Sequence, residues 1–111
     1  MKYCLAALLL VTSIAMGQES SALSLTTHIP LPNVKGRLDH SGVDVKGQRP
    51  FVAAVGNNTL EVIDLKSGQR VRTIPDLEEP QGVYYDASTN RLFVACGGNG
   101  VTNAGPRLNL L

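Results

Sequence analysis

Polar side chains that could bind a ligand are sparse in this sequence and fall in short loops between apolar segments. Asp39 and His40 immediately precede one such segment, the pair Asn57-Asn58 follows the next, and Asn99 lies in a glycine-rich stretch further along. Carboxylate, imidazole and amide groups can hydrogen-bond a polar ligand. The same residue types are also favoured in turns, where they bind backbone amides. Both roles stay open for these five residues.

The residues alone indicate no catalytic or metal-binding motif. The two histidines, His28 and His40, have no paired cysteines and give no metal-ligand spacing. The glycines of residues 97–100 lack the G-x-G-x-x-G spacing and a following helix, which argues against a dinucleotide-binding loop. No nucleophile–base pair can be read from the order of residues. We therefore predict no catalytic residues, no metal site and no cofactor.

Residues 1–17 have the features of a secretory signal peptide. Lys2 supplies a positive charge, residues 4–16 are mostly apolar, and small residues occupy the two positions that a cleavage site requires. Removal is predicted after Gly17, with a second candidate after Ala22. The apolar run is shorter than the roughly 20 residues needed to span a bilayer. We expect an exported bacterial protein, periplasmic or extracellular.

The charge balance of the chain without this segment argues against two classes of partner. Removal of Lys2 leaves nine basic and nine acidic residues, so the net charge is near zero. A strong electrostatic attraction to nucleic acid or to an anionic membrane is therefore not expected. Cys96 becomes the sole cysteine, so no intrachain disulfide can form, and its apolar surroundings predict a small buried side chain.

Two phrases of the sequence occur twice, at nearly constant spacing. Gly42-Val43 returns as Gly82-Val83, and Phe51-Val52-Ala53 returns as Phe93-Val94-Ala95. The glycines are separated by 40 residues and the phenylalanines by 42. A period of about 40 residues with short apolar strands and glycine turns is typical of β-propeller blades. One blade cannot bury both of its faces alone, so the repeat predicts several packed units.

The same pattern predicts an all-β chain of four-stranded antiparallel blades, one complete and two partial. Strands of the complete blade are predicted at residues 41–45, 51–55, 60–64 and 69–74. Residues 23–29 are predicted as the outer strand of an incomplete preceding blade, and residues 83–85 and 91–96 as the first two strands of the following one. The repeat is predicted to fail after Gly100, because residues 101–106 lack alternation and include a proline. Residues 101–111 are thus expected to be a divergent tail.

The repeat resembles the YVTN-type repeat of YncE-like β-propeller proteins. The resemblance rests on four motifs, which are Phe51-Val52-Ala53, Gly56-Asn57-Asn58-Thr59, Val62-Ile63-Asp64 and Ser67-Gly68. Phe-Val-Ala stands at both sites where the family has Tyr-Val-Thr-Asn. The likeness covers roughly residues 23–100, within a predicted propeller region of residues 18–100. It implies a fragment of an exported propeller of about seven blades, with a binding or scaffold role, and does not by itself imply an enzyme.

Blade geometry predicts the end of the sheets at which a ligand would bind. The loop that enters the first strand and the turn from the second strand to the third lie at the same end. That end is expected to collect Arg37, Asp39, His40, Asn57, Asn58, Glu79, Gln81 and Asn99. Propellers generally bind ligands where such loops converge, which makes Asp39, His40 and Asn57 the first candidates. The opposite end is expected to hold the turn residues Lys46, Gln48, Lys66 and Ser67.

Three functions are compatible with these features. The first is an exported scaffold that binds an unidentified ligand or protein partner. The second is a catalytic propeller of the gluconolactonase or quinoprotein type, for which this chain offers few ligands. The third is a truncated or frameshifted copy without independent function. We predict the first, and unpaired blade edges also predict self-association, for example by closure of a ring.

Overall fold

The computed structural model describes residues 22–104 of the chain. The predicted signal peptide and residues 105–111 of the predicted tail lie outside the described residues. The strands, in chain order, are β1 (Ser41–Asp44), β2 (Arg49–Ala54), β3 (Thr59–Asp64), β4 (Gln69–Ile74), β5 (Pro80–Asp86), β6 (Arg91–Cys96) and β7 (Gly100–Ala104). A single 3-10 turn, Val55–Asn57, is the one helical element of this region. The all-β prediction is confirmed.

The strands form two antiparallel sheets in which each strand pairs with its neighbour in sequence. Sheet A has four strands in the order β1-β2-β3-β4, and sheet B has three in the order β5-β6-β7. Their registers differ by two residues, because Gly42 pairs with Phe51 in sheet A, whereas its repeat equivalent Gly82 pairs with Ala95 and Phe93 pairs with Tyr84 in sheet B. A shift of two residues keeps equivalent side chains on the same face of each sheet. Within residues 22–104, no helix has the length and hydropathy that crossing a membrane requires.

Each sheet has two distinguishable faces, which we name by equivalent residues. The front face carries Gly42 and Phe51 in sheet A, and Gly82 and Phe93 in sheet B. The back face carries the alternate residues, such as Val43 and Val52 in sheet A, and Tyr85 in sheet B. The front face of sheet A packs on the back face of sheet B. A ring contact between Phe51 and Tyr85, with centroids 5.4 Å apart, joins the two.

The core lies between these two faces. Sheet A contributes Phe51, Ala53, Leu60 and Val62, and sheet B with its entry loop contributes Leu77, Leu92, Val94 and Cys96. All of these side chains are buried, so the prediction of a buried Cys96 is confirmed. Burial of the cluster is the main apolar contribution that holds the two sheets together.

Gly42 permits the first strands of the two sheets to approach closely. A Cβ atom built at Gly42 would lie 3.1 Å from Val83 Cγ1 and 3.2 Å from the Val83 carbonyl oxygen. A side chain there would press on Val83 and push β1 away from β5. The glycine is therefore a packing requirement of the sheet interface and not a turn signal.

Two predicted elements differ from the structure. Residues 23–29 form no strand, although the recurrence of Ile29-Pro30 as Ile74-Pro75 predicts one. A strand needs a hydrogen-bonding neighbour, and none of the described strands extends to this segment. Conversely, the sequence predicts no strand after Gly100, but β7 continues to Ala104 and pairs with β6 along its whole length. Residues 101–104 form a strand because the free edge of β6 offers hydrogen-bonding partners, a feature that their weak alternation does not predict. The divergent tail at residues 101–111 stays a prediction.

Candidate functional site

The entry loop of sheet A is bound to the turn between β2 and β3, as blade geometry predicted. The Gly56 amide donates to the Arg37 carbonyl at 3.3 Å, and the Asp39 amide donates to the Ala53 carbonyl at 2.9 Å. The Ala53 amide in turn donates to the His40 carbonyl at 3.2 Å. Loop and turn therefore form one continuous surface at this end of sheet A, which we call the loop end.

Asn57 serves the structure of the loop end. Its side-chain oxygen accepts from the Lys35 amide at 3.1 Å, and its side-chain nitrogen donates to the Lys35 carbonyl at 2.7 Å. Both ends of the carboxamide are thus used to hold the entry loop. The sequence is compatible with either ligand binding or backbone hydrogen bonding by Asn57, and these two hydrogen bonds support backbone hydrogen bonding.

Asn58 connects the two sheets. Its backbone is left-handed, with φ 56° and ψ 38°, a region in which Asn is tolerated better than most residues. Its carbonyl accepts from the Leu77 amide at 3.1 Å, and its side-chain oxygen accepts from the Glu79 amide at 3.2 Å. The second entry loop is therefore anchored on the turn of the preceding sheet.

Asn99 occupies the same position in sheet B as Asn57 occupies in sheet A. It lies in the turn between β6 and β7, directly before Gly100, whose φ of 82° matches the left-handed Asn58. The amides of Gly97 and Gly98 donate to the carbonyls of Glu79 and Glu78, so the second entry loop is bound to this turn as well. The structure places Asn99 at the loop end, but on the neighbouring sheet.

Asp39 organises the charged part of the loop end. Its Oδ1 atom lies 2.6 Å from His40 Nδ1, and its Oδ2 atom lies 3.2 Å from Arg37 Nη2. The Asp39 side chain is largely covered, whereas those of His40 and Arg37 are largely exposed. The carboxylate thus fixes an imidazole and a guanidinium side by side at the surface, where both can donate hydrogen bonds to a ligand.

A cleft of about 340 Å³ adjoins this surface. It lies between the β2–β3 turn and the second entry loop, and it is lined by Asn57, Asn58, Thr59, Pro75, Asp76, Leu77 and Glu78. The exposed carboxylates of Asp76 and Glu78 make this side of the loop end acidic, whereas Lys35 and Arg37 make the other side basic. Among the described residues, no group of three or more His, Cys, Asp or Glu side chains is arranged to hold a metal ion.

The opposite end of the sheets is built from three aspartate turns. Asp44 accepts from the Gly47 amide at 2.9 Å and from Arg49 Nη2 at 2.6 Å. Asp64 accepts from the amides of Lys66 and Ser67. Asp86 accepts from the hydroxyl groups of Ser88 and Thr89, at 2.6 Å each. Each carboxylate holds the hairpin that follows it.

Hydrogen bonding lowers the pKa of all three aspartates. Burial raises the pKa of Asp44, but the Gly47 amide and the Arg49 guanidinium outweigh this and shift it below its ordinary value. Hydrogen bonds from Ser67 and the Lys66 amide lower the pKa of Asp64. Those from Ser88 and Thr89 lower the pKa of Asp86. These turns are consequently sensitive to acid.

Sequence reasoning missed Glu61, the most deeply buried charged residue among those described. Its side chain is 1% exposed and accepts from the hydroxyl groups of Thr59 and Thr73, both at 2.7 Å. Arg70 Nη1 lies 3.2 Å from its carboxylate and also donates to the Pro32 carbonyl at 2.9 Å. The feature of the sequence that could have identified it is a glutamate inside the otherwise apolar segment of residues 60–63. Its contacts tie residues near Pro32 to the back face of sheet A.

Comparison with other proteins does not place the chain in a family. No family model matches it, and neither the curated proteins nor the solved structures give a significant match. The resemblance to the YncE-like propellers stays a prediction drawn from the residues of the repeat.

Proposed function

We propose that the chain is an exported, propeller-type repeat protein that acts as a ligand-binding or protein-interaction scaffold, and that the loop end is its contact surface. The observation that carries this proposal is the cluster centred on Asp39. At the loop end, Asn57 and Asn58 are used to hold loops, whereas Arg37 and His40 are fixed by Asp39 and face solvent.

The stacking of the two sheets supports the propeller part of the proposal. Equivalent strands follow each other at the period of the repeat, and the first strands of the sheets approach each other at Gly42 and Val83. Inner strands of neighbouring propeller blades converge in this way around a central axis. Loops from both sheets then lie at one end, where a partner can contact several of them together.

A pair of photo-crosslinking variants tests the proposed contact surface. Benzoylphenylalanine replaces Leu38, which lies between Arg37 and Asp39 and is 45% exposed. The matched control carries the same group in place of Leu65, which is 50% exposed and lies beside an aspartate turn at the opposite end. Both variants are expressed in the source cells, irradiated, and analysed by mass spectrometry.

We expect a discrete adduct with another protein from the Leu38 variant and not from the Leu65 variant. Adding Asp39→Ala to the Leu38 variant should reduce the yield at least several-fold, because the Arg37 and His40 side chains lose their anchor. Equal yields at both ends would contradict the proposal. So would an adduct that is unchanged by Asp39→Ala, or one formed only with a second copy of this chain.

A further inference from the structure

Within residues 22–104, each sheet packs on the other through one of its two faces only. The front face of sheet A packs on the back face of sheet B, so the front of sheet B and the back of sheet A have no described sheet against them. Because the sheets are related by the repeat, these outer faces carry equivalents of several residues of the faces that pack together, among them Gly82, Phe93, Val43 and Val52. We propose that a second copy of this chain docks there, head to tail, with its sheet A on sheet B of the first.

The front face of sheet B repeats the residues that are buried on sheet A. Gly82 and Phe93 are the equivalents of Gly42 and Phe51, by offsets of 40 and 42 residues. Phe93 stacks on Tyr84 with ring centroids 6.3 Å apart, and Tyr84 is 64% exposed. Val101 on β7 is also exposed. Asn103, which pairs with Phe93, stands where sheet A has Val62 beside Phe51, so the apolar part of this face is formed by β5, β6 and Val101. An exposed apolar and aromatic surface of this kind, on a face whose central residues Phe51 and Ala53 are buried one repeat earlier, indicates a docking surface.

The back face of sheet A repeats the residues that sheet B buries. Val43 and Val52 are the equivalents of Val83 and Val94, which pack against the core or belong to it. Val43 is nevertheless 51% exposed, whereas Val94 is fully buried. On the outer half of this face Glu61 and Ile63 are buried, and Arg70 donates to the Pro32 carbonyl, so the open half is the one formed by β1 and β2. This is the half that β5 and β6 use in the internal interface.

The two entry loops favour the same arrangement by their charge. In each loop a left-handed residue follows a proline, Asn33 after Pro32 and Asp76 after Pro75, so the loops have related backbones. The loop of sheet B is bound to the turn of sheet A, as described for Asn58. A second copy stacked in the same way brings its own first loop beside the second loop of its neighbour.

The charges that would meet are opposite. The first loop carries Lys35 and Arg37, and the second carries Asp76, Glu78 and Glu79. All five are exposed. Opposite charges at the rim of an apolar contact favour the correct partner and its orientation. Because the two halves of the interface differ, assembly of this kind is heterologous and yields a closed ring or an open filament.

Blocking each face separately tests the proposal. Tyr84→Lys blocks the front of sheet B, and Val43→Lys blocks the back of sheet A. Val71→Lys is the matched control, since Val71 is 56% exposed but lies on the outer strand β4. Masses are measured by light scattering during size-exclusion chromatography of the full chain, and circular dichroism reports the fold of each variant.

The expected pattern is specific to a heterologous interface. The unmodified chain and the Val71→Lys control form oligomers larger than a dimer, and each blocked variant alone is a monomer. An equimolar mixture of the two blocked variants gives a dimer, because one intact pair of faces remains. A monomeric unmodified chain overturns the proposal, as does a mixture that stays monomeric or blocked variants that keep the unmodified mass.

A disulfide test covers the case in which a lysine variant does not fold. In the internal interface Gly42 lies against Val83, so Gly82 of one copy should lie against Val43 of the next. Chains with Gly82→Cys are mixed with chains carrying Val43→Cys under mild oxidation, with Val71→Cys in place of Val43→Cys as the control. A disulfide-linked heterodimer is expected from the first mixture at several-fold the yield of the control. Equal yields overturn the proposal.

Discussion

Phe51 and Phe93 occupy equivalent positions of the repeat but differ in burial, and therefore in their expected contribution to stability. Both begin the Phe-Val-Ala phrase, and both stand on the front face of their sheet. Phe51 is fully buried and contacts the ring of Tyr85, whereas Phe93 is partly exposed beside Tyr84. The sequence identifies the two phenylalanines as equivalents, but the difference depends on what packs against each sheet, which the phrase does not contain.

Phe51→Ala is expected to destabilise the fold far more than Phe93→Ala. Removal of a fully buried phenylalanine side chain costs about 3–5 kcal/mol, because apolar contacts are lost and a cavity remains. The partly exposed Phe93 should cost about 1 kcal/mol in the unassembled chain, close to the centre of the range for point mutants. Urea unfolding at low chain concentration measures both free energies. Equal losses would contradict the assigned faces.

At the scale of elements, turns and strand partners decide what the sequence could reveal. Strands β4 and β6 are confirmed at their predicted bounds, because alternation in β4 and a continuous apolar run in β6 are each flanked by turn residues. Residues 23–29 have no partner strand among the described residues, and β7 has a partner without clear alternation. Asp39, His40 and Asn57 could be assigned to one end from the order of strands. Their hydrogen-bond roles could not, since these depend on the path of the entry loop.

The aspartate turns predict loss of stability in acid. The pKa values of Asp44, Asp64 and Asp86 are lowered in the folded state, so the unfolded chain takes up protons first as the pH falls. Their stabilising contribution is present above the ordinary value of 3.8 and is lost as the pH passes down through the folded values. Denaturant unfolding should show a falling free energy from about pH 5 towards pH 3.

Asp44→Asn should make this pH dependence shallower. The variant keeps the shape of the turn but removes one carboxylate with a lowered pKa. Lys46→Gln changes the charge of the same turn while leaving the Asp44 carboxylate, and it serves as the control. An Asp44→Asn profile as steep as that of the unmodified chain would show that this turn does not contribute.

Substitution of Asn58, which links the two sheets, is predicted to change the stability of the fold. Asn58→Gly keeps the left-handed backbone and loses the hydrogen bond to the Glu79 amide, whereas Asn58→Ala loses the bond and also strains the backbone. The alanine variant should therefore be less stable than the glycine variant by about 1 kcal/mol, the lower end of the cost of a left-handed residue with a Cβ. Thermal unfolding followed by circular dichroism gives the order. A glycine variant less stable than the alanine variant would contradict this account of the turn.

At the scale of the whole molecule, the repeat explains both the internal core and the exposed faces. The stacking of sheet A on sheet B covers one front and one back face, and within residues 22–104 no other sheet packs on the remaining two. The loop end, with Asp39 at its centre, depends on the same stacking because Asn58 holds the second entry loop. The interpretation as propeller blades, the scaffold function and the head-to-tail assembly all depend on this one interface.

The most direct test of that interface is a nuclear Overhauser measurement between Gly42 and Val83. A Cβ at Gly42 would lie 3.1 Å from Val83 Cγ1, so an α-hydrogen of Gly42 must lie close to this methyl group. In methyl-labelled protein at low concentration, we predict a strong cross-peak between the Gly42 α-hydrogens and a Val83 methyl group. Absence of this cross-peak, in a chain whose β1–β2 and β5–β6 pairings are intact, would contradict the face-to-face stacking of the two sheets.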